Sequence, residues 1–385
     1  MATLAIESGA SVERMRDLIA DAALRGLALT YLDGPGGLPH TLRYDGRRAI
    51  PQGTNVRYAL IALIGLAEAQ NTLADEVPAL IDELCARIAS AIRRGHRLTP
   101  GDCGLGLWAV TSLEDRGSRL RGVFSPERAV AEFHRHSEWL DSVELSWLLL
   151  GATHAASRNL SPAITEPLAD AVRRSLLRLY NPDTRLCYRH DRRGWASRVS
   201  RRVACFANQI YPLMALAVHV RWRPDPADLQ IVSEFARNML ALQGPRGQWW
   251  WLYDAASGMV VEQYPVFSVH QDGMAPMALG AVSAATGLSM AEPIATSLQW
   301  VFGANERGES MLCDNAGLIL RDIHKSKVGR LHRIAKATVW CAGGRLGQTM
   351  TAKLPKWTVN RECRPYHLGW ALYAAAFQRE SESGA

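Results

Sequence analysis

The sequence predicts an all-α protein built as a closed ring of six helical hairpins, and three observations carry that expectation. Helical segments alternate along the 385 residues between an amphipathic kind with a charged face and a kind that is apolar almost all round. A helix with no wet face has to be enclosed by others, so the apolar segments form an inner layer that the amphipathic ones cover. Finally, two outer-to-inner connections are long and mix aromatic and β-branched residues with Asp-containing turns, as short strands do.

Taken in order, the first amphipathic segment is SVERMRDLIADAALRGLAL (11–29), followed by the apolar NVRYALIALIGLAEA (55–69). The pairs VPALIDELCARIASAIRRG (77–95) with CGLGLWAVTSL (103–113), and SPERAVAEFHRHSEWL (125–140) with SVELSWLLLGATHAA (142–156), repeat the scheme. TEPLADAVRRSLLRLY (165–180) precedes CFANQIYPLMALAVHV (205–220), and DPADLQIVSEFARNMLAL (225–242) precedes QDGMAPMALGAVSAAT (271–286). EPIATSLQWVFG (292–303) and YHLGWALYAAAF (366–377) close the set. Apolar residues recur at three- and four-residue steps in the amphipathic members, and several open on Ser, Asp or Glu beside Pro, a helix-start signal. Alanine and glycine in the apolar members allow close approach. The connections 181–202 and 244–267 should cross the open end of the ring, and 303–358 reads as a lid or small insertion within one domain spanning 1–385.

Composition narrows the class. The chain is 48% hydrophobic and 21% charged, enough for one large core. No basic-then-apolar leader opens it, and its longest apolar runs are about half a membrane span, so it reads as cytoplasmic with no stable membrane insertion. Seven scattered cysteines, never spaced CxxC, argue against a disulfide framework or a closed zinc site. The formal charge of +7 concentrates in RHDRRGWASRVSRR (189–202) and HKSKVGRLHRIAK (324–336) without a nucleic-acid motif. These runs read as a solvated basic face or as attraction for an anionic small molecule such as a uronate, a phosphate or a sulfated sugar.

Six alternating hairpins over nearly the whole chain resemble the (α/α)6 toroid of the six-hairpin glycosidase-like superfamily. Other α-toroids share the plan, so the reaction has to be read from the site. In such a ring the inner-helix starts face the mouth of a central cavity. Those starts carry Asn55, Arg57 and Tyr58; Asp102 and Cys103; Glu144 and Trp147; Asn208, Gln209 and Tyr211; His270, Gln271 and Asp272; and Tyr366, His367 and Trp370. Asp102, Ser142 and Asp272 also suit helix caps. Asp272 is the first candidate catalytic carboxylate, with Gly273 beside it leaving room for a ligand. Glu144 is its partner; inside an apolar helix it suits a general acid, or else it is a structural acid paired with Arg57. Glycoside hydrolysis requires such a pair. His270 and His367 are candidate proton carriers, and Arg57 or Arg201 a carboxylate clamp.

The stretch GQWWWLYDAASGMVVEQYPVFSVHQDGMAPMAL (247–279) leads into this rim. Trp249 and Trp251 should share one face of an extended strand, opposite Trp250, and with Tyr253 and Tyr264 offer a stacking platform for a sugar; the alternative is a tryptophan-rich core. Twelve Trp against seven Phe favour the sugar, since indole adds an N–H donor to an apolar face. The resemblance implies a carbohydrate-active enzyme, hydrolase-like or a related epimerase or lyase, acting by general acid/base catalysis on an anionic oligosaccharide without metal or cofactor. A terpenoid cyclase or isoprenoid transferase using an aromatic cavity and a non-catalytic glycan-binding toroid remain open.

Overall fold

The computed structural model describes residues 11–32, 37–46, 48–70, 77–136, 140–192, 194, 197–313, 316–325 and 357–383. Twelve long helices alternate as the apolar pattern requires. The outer set is α1 (Val12–Tyr31), α3 (Val77–Arg93), α5 (Pro126–His136), α7 (Pro162–Leu177), α9 (Pro226–Ala241) and α11 (Ala291–Val301). The inner set is α2 (Val56–Ala69), α4 (Pro100–Ser112), α6 (Ser142–Ser157), α8 (Ala207–Trp222), α10 (Ala275–Thr286) and α12 (Pro365–Ser383). Inner neighbours pack in sequence from α2 through α4, α6, α8 and α10 to α12, which returns against α2. Each outer helix packs on the inner helix before it, and α1 packs on α12, so the two ends of the chain close the ring. Among the described residues no helix is long and apolar enough to cross a membrane.

The ring is tight because glycines remove side chains where inner backbones meet. A Cβ on Gly151 of α6 would lie 2.0 Å from the carbonyl oxygen of Gly104 on α4, and one on Gly65 of α2 would lie 2.1 Å from that of Gly369 on α12. Either distance is far inside van der Waals contact.

The strands all lie in outer-to-inner connections. Thr41–Tyr44 pairs antiparallel with Ala49–Gln52 and with Glu362–Cys363, joining the first connection to the last with Leu42 opposite Cys363. Asp322–Lys325 lies between Val266–Phe267 and Trp357–Asn360, tying the fifth to the sixth. Leu252–Asp254 lies between Val203–Cys205 and Met259–Glu262, tying the fourth to the fifth. Small sheets therefore roof one arc of the mouth. The connections before α4 and α6, by contrast, hold no strand among the described residues. Most of the expected 303–358 lid and of the 324–336 basic run falls outside the described residues.

Local capping departs from the sequence reading. Thr99, not Asp102, caps α4, with Asp102 at the third helical position returning the bond in a capping box. Asp141, not Ser142, caps α6. Asp272 caps nothing: it sits inside a π-helical turn, His270–Met274, that runs straight into α10.

Replacing Gly151 with Ala should force α4 and α6 apart and destabilise the protein by about 1–3 kcal/mol. Urea denaturation should show a lower midpoint at an unchanged slope; an unchanged midpoint would mean that the glycine contact does not set the spacing.

Candidate active site

Three successive inner-helix starts converge on one guanidinium. Arg57, in the first turn of α2, donates from Nε to Asp102 Oδ1 at 2.7 Å and from Nη2 to Glu144 Oε1 at 2.7 Å. Nη2 also reaches Thr99 Oγ1 at 2.7 Å. Glu144 Oε2 accepts in addition from the Thr99 hydroxyl at 2.8 Å and from the Gly101 backbone N–H at 2.7 Å. Gly101 is glycine for a local reason: a Cβ there would stand 2.5 Å from Glu144 Oε2. The Arg57 guanidinium lies over Trp147, 4.8 Å from the ring centre. The Arg57 side chain is 26% exposed and that of Glu144 18%, against 5% for Asp102, so Arg57 and Glu144 are the members of the cluster that meet solvent.

Converging donors change the expectation for Glu144. The helix around it is apolar, but three donors hold its carboxylate as an acceptor, so it is not arranged as a buried proton donor. Burial tends to push the Arg57 pKa down, but the two carboxylates outweigh it and hold the group above its ordinary value. The pairing of Glu144 with Arg57 that the sequence allowed is present, and Asp102 joins it. Thr99 and Gly101 were not singled out from sequence; the TPGD run at 99–102, a capping-box pattern, was the available signal.

A second polar pair lies deeper. His367 Nε2 stands 2.7 Å and 3.0 Å from the two Asp272 carboxylate oxygens. Both residues are buried, and loss of solvent raises the Asp272 pKa against the lowering pull of His367. Asp272 thus orients an imidazole and is not itself open to a ligand. The space left by Gly273 is taken by Trp370, whose Cβ would stand 2.9 Å from an added methyl. His270 is also buried, among Phe206, Phe267 and Trp251, and burial depresses its pKa to about 3. Its place in the π turn, a feature frequent at functional sites, and a buried Nδ1 that has no hydrogen-bond partner among the described residues set it apart from a core histidine.

The expected aromatic platform is mostly core. Trp249 is fully buried and donates its indole N–H to Ser297 on α11 at 3.0 Å, so it shares no open face with Trp251. Tyr253 is fully buried, and its hydroxyl accepts from the Trp250 N–H at 3.1 Å. Trp251 stays half-buried, with its ring parallel to His270 at 6.4 Å. Tyr264, half-buried, donates to Glu306 at 2.7 Å and packs on Trp357.

Several polar candidates are likewise committed to structure. Asn208 holds the Cys205 N–H and the Ser142 hydroxyl, Gln209 brackets the backbone of Cys187, and Gln271 lies against Ser297. Each is buried because an inner-helix start has to satisfy the polar backbone of the connection crossing it. Tyr211 accepts from the Trp370 indole at 2.7 Å, both rings buried. Tyr58 remains half-buried between His40 and Tyr366. Arg201 stacks on Tyr188 at 3.8 Å. Among the described residues no three His, Cys, Asp or Glu side chains converge as a metal-holding group.

No protein-family model matches the chain, and no curated protein matches it in sequence. Solved structures do match it along nearly their whole length. An unsaturated glucuronyl hydrolase from Streptococcus agalactiae shares 10% identity at a TM-score of 0.61, covering 97% of this chain and 93% of its own. One from Bacillus sp. GL1, responsible for the degradation of glycosaminoglycan, shares 12% identity at 0.61 over 96% and 97%. A Klebsiella pneumoniae protein described as a possible member of the GH105 family shares 12% at 0.59 over 98% and 95%. The fold is an (α/α)6 toroid, the architecture these structures share. At these identities the likeness establishes architecture, as the alternation of helices predicted.

Acid sensitivity follows from His270. Its folded pKa is about 3 against an ordinary 6.5, so the unfolded chain takes up a proton over that interval and the folded one does not. The associated stability is complete above pH 6.5 and is lost as pH falls toward about 3; His154, depressed to about 3, adds to the loss. His270→Gln should flatten the decline between those limits by up to about 1.4 kcal/mol per pH unit. Urea midpoints across this range check it, and parallel curves for the two proteins would exclude the buried neutral imidazole.

Proposed function

We propose that the ring mouth hydrolyses a glycosidic bond of an anionic oligosaccharide, with Asp102 and Glu144 as the carboxyl pair. The observation that carries this reading is the single Arg57 guanidinium shared by two carboxyl groups on adjacent inner helices. Both carboxyl groups stand at helix starts around that one cation, and glycoside hydrolysis requires two carboxyl groups, one to give a proton and one to activate water. In the reaction, one carboxyl gives its proton to the glycosidic oxygen as the bond from the anomeric carbon to that oxygen breaks. The other takes a proton from the water whose oxygen bonds to that carbon. Glu144, the more exposed, is assigned to the water, and Asp102 to the leaving oxygen. The half-buried Tyr58 supplies an apolar face beside them, and Asp272 positions His367 without touching substrate.

Support for an anionic glycan comes from the solved structures of the same fold, several of which are unsaturated glucuronyl hydrolases; one is specific for heparin, and another is complexed with dGlcA-GalNAc6S. The basic excess of the chain agrees with that class.

The test is incubation with an unsaturated glucuronyl disaccharide, followed by mass spectrometry for the two released monosaccharides. Glu144→Gln and Asp102→Asn should each lower kcat by about 10²–10⁴ with the helical content retained. Full turnover in both variants would remove these residues from the chemistry. Consumption of an isoprenyl diphosphate with no cleavage of any disaccharide would move the site to the cyclase or transferase class.

A further inference from the structure

A cavity of about 730 Å³ opens beside the mouth on the arc that no sheet roofs. It runs between α5 and the short connection before α4, and at its inner end it reaches Thr99 and Glu144. Its lining carries His96, Arg97, Arg128, Arg135 and His136 against two carboxylates, Glu132 and, at the inner end, Glu144. Glu132 Oε1 is already engaged by Arg135 at 2.5 Å, and His136 Nδ1 lies 3.1 Å from the Glu132 backbone carbonyl. Arg128 donates to the Val123 carbonyl at 3.3 Å and, among the described residues, has no carboxylate partner; Arg97 has none either. Arg57 offers no spare charge, because both Asp102 and Glu144 occupy it. Arg97 and Arg128 are the uncommitted cations of the groove that leads to Glu144.

We infer that this groove is a subsite for the leaving-side sugar of the substrate and that Arg97 and Arg128 bind an oxyanion substituent on it, sulfate or carboxylate. The assignment rests on the proposed role of Glu144 at the inner end. A guanidinium matches such a substituent with two parallel N–H donors, and the missing roof gives a second sugar room to extend out of the mouth. Selectivity for substituted glycans would then be set outside the ring by the outer helix α5 and the 94–99 connection, and not by the inner helices that hold the carboxyl pair.

The experiment is calorimetric titration with two unsaturated glucuronyl disaccharides that differ by one sulfate on the leaving sugar, run alongside turnover of both. The wild type should bind the sulfated sugar more tightly. R97Q/R128Q should reduce the ratio of the two affinities about tenfold, and the single charge reversal R97E, at an exposed position, should reduce it in the same direction. Equal affinities in the wild type, or a ratio untouched by both variants, would overturn the subsite while leaving hydrolysis standing. Sulfate-dependent binding lost in the variants without any turnover would keep the groove and reject the hydrolase reading. Neither binding nor turnover of either sugar would reject both.

Discussion

Backbone contact between inner helices is the constraint on which the rest depends. Where Gly104 meets Gly151 and Gly65 meets Gly369, the helices approach to a distance at which even a methyl group has no room. That spacing brings the first turns of α2, α4 and α6 within reach of one side chain, and Arg57 spans all three. A wider ring would leave two carboxylates and a guanidinium in separate solvated positions, each worth little. In the tight ring they form one partly buried cluster whose geometry is fixed by helix packing and not by flexible loops.

The mouth has two unlike sides. Over α8, α10 and α12 the connections are long, and their strands tie one connection to the next, with Trp249, Tyr253, Gln209 and Gln271 filling the space below. Over α4 and α6 the connections are short, and the half-buried Thr99 and Glu144 lie there, with Arg57 reaching across to them from the start of α2. The residues that looked most like a binding wall in sequence therefore hold up the roofed side, and the charged cluster sits at the open one. This division explains why the polar groups at inner-helix starts split into two populations. Those under a sheet are consumed by crossing backbone, and those on the open arc pair with one another.

Asp272 and His367 belong to neither population cleanly. They are buried beneath the mouth, with each carboxylate oxygen facing the imidazole and with Trp370 packed against the neighbouring Gly273. Breaking such a pair leaves an uncompensated polar group in the interior, which makes it a stiff element at the base of the site. The adjoining π turn and the neutral His270 give the same region its dependence on acid.

The sequence by itself determined the architecture. Apolar periodicity is a local property of each segment, so the inner or outer place of all twelve helices and their alternation were legible, with boundaries within a few residues. The strands of the 181–202 and 244–267 connections followed from turn residues for the same reason, while those of the first and last connections carried no such mark. What the sequence could only suggest was which polar residues at the helix starts meet. Glu144 and Arg57 were named together as a pair, but Asp102 read as a cap, Thr99 and Gly101 carried no mark beyond a capping-box pattern, and Asp272, the first candidate for the cavity mouth, is buried. Three consecutive tryptophans have one composition whether they line a cavity or fill a core. The decision lay with Ser297, forty-eight positions from Trp249 and on the outer helix of the next hairpin. Pairings of that kind depend on distances across the ring, and a distance across the ring exists only once all six hairpins have closed.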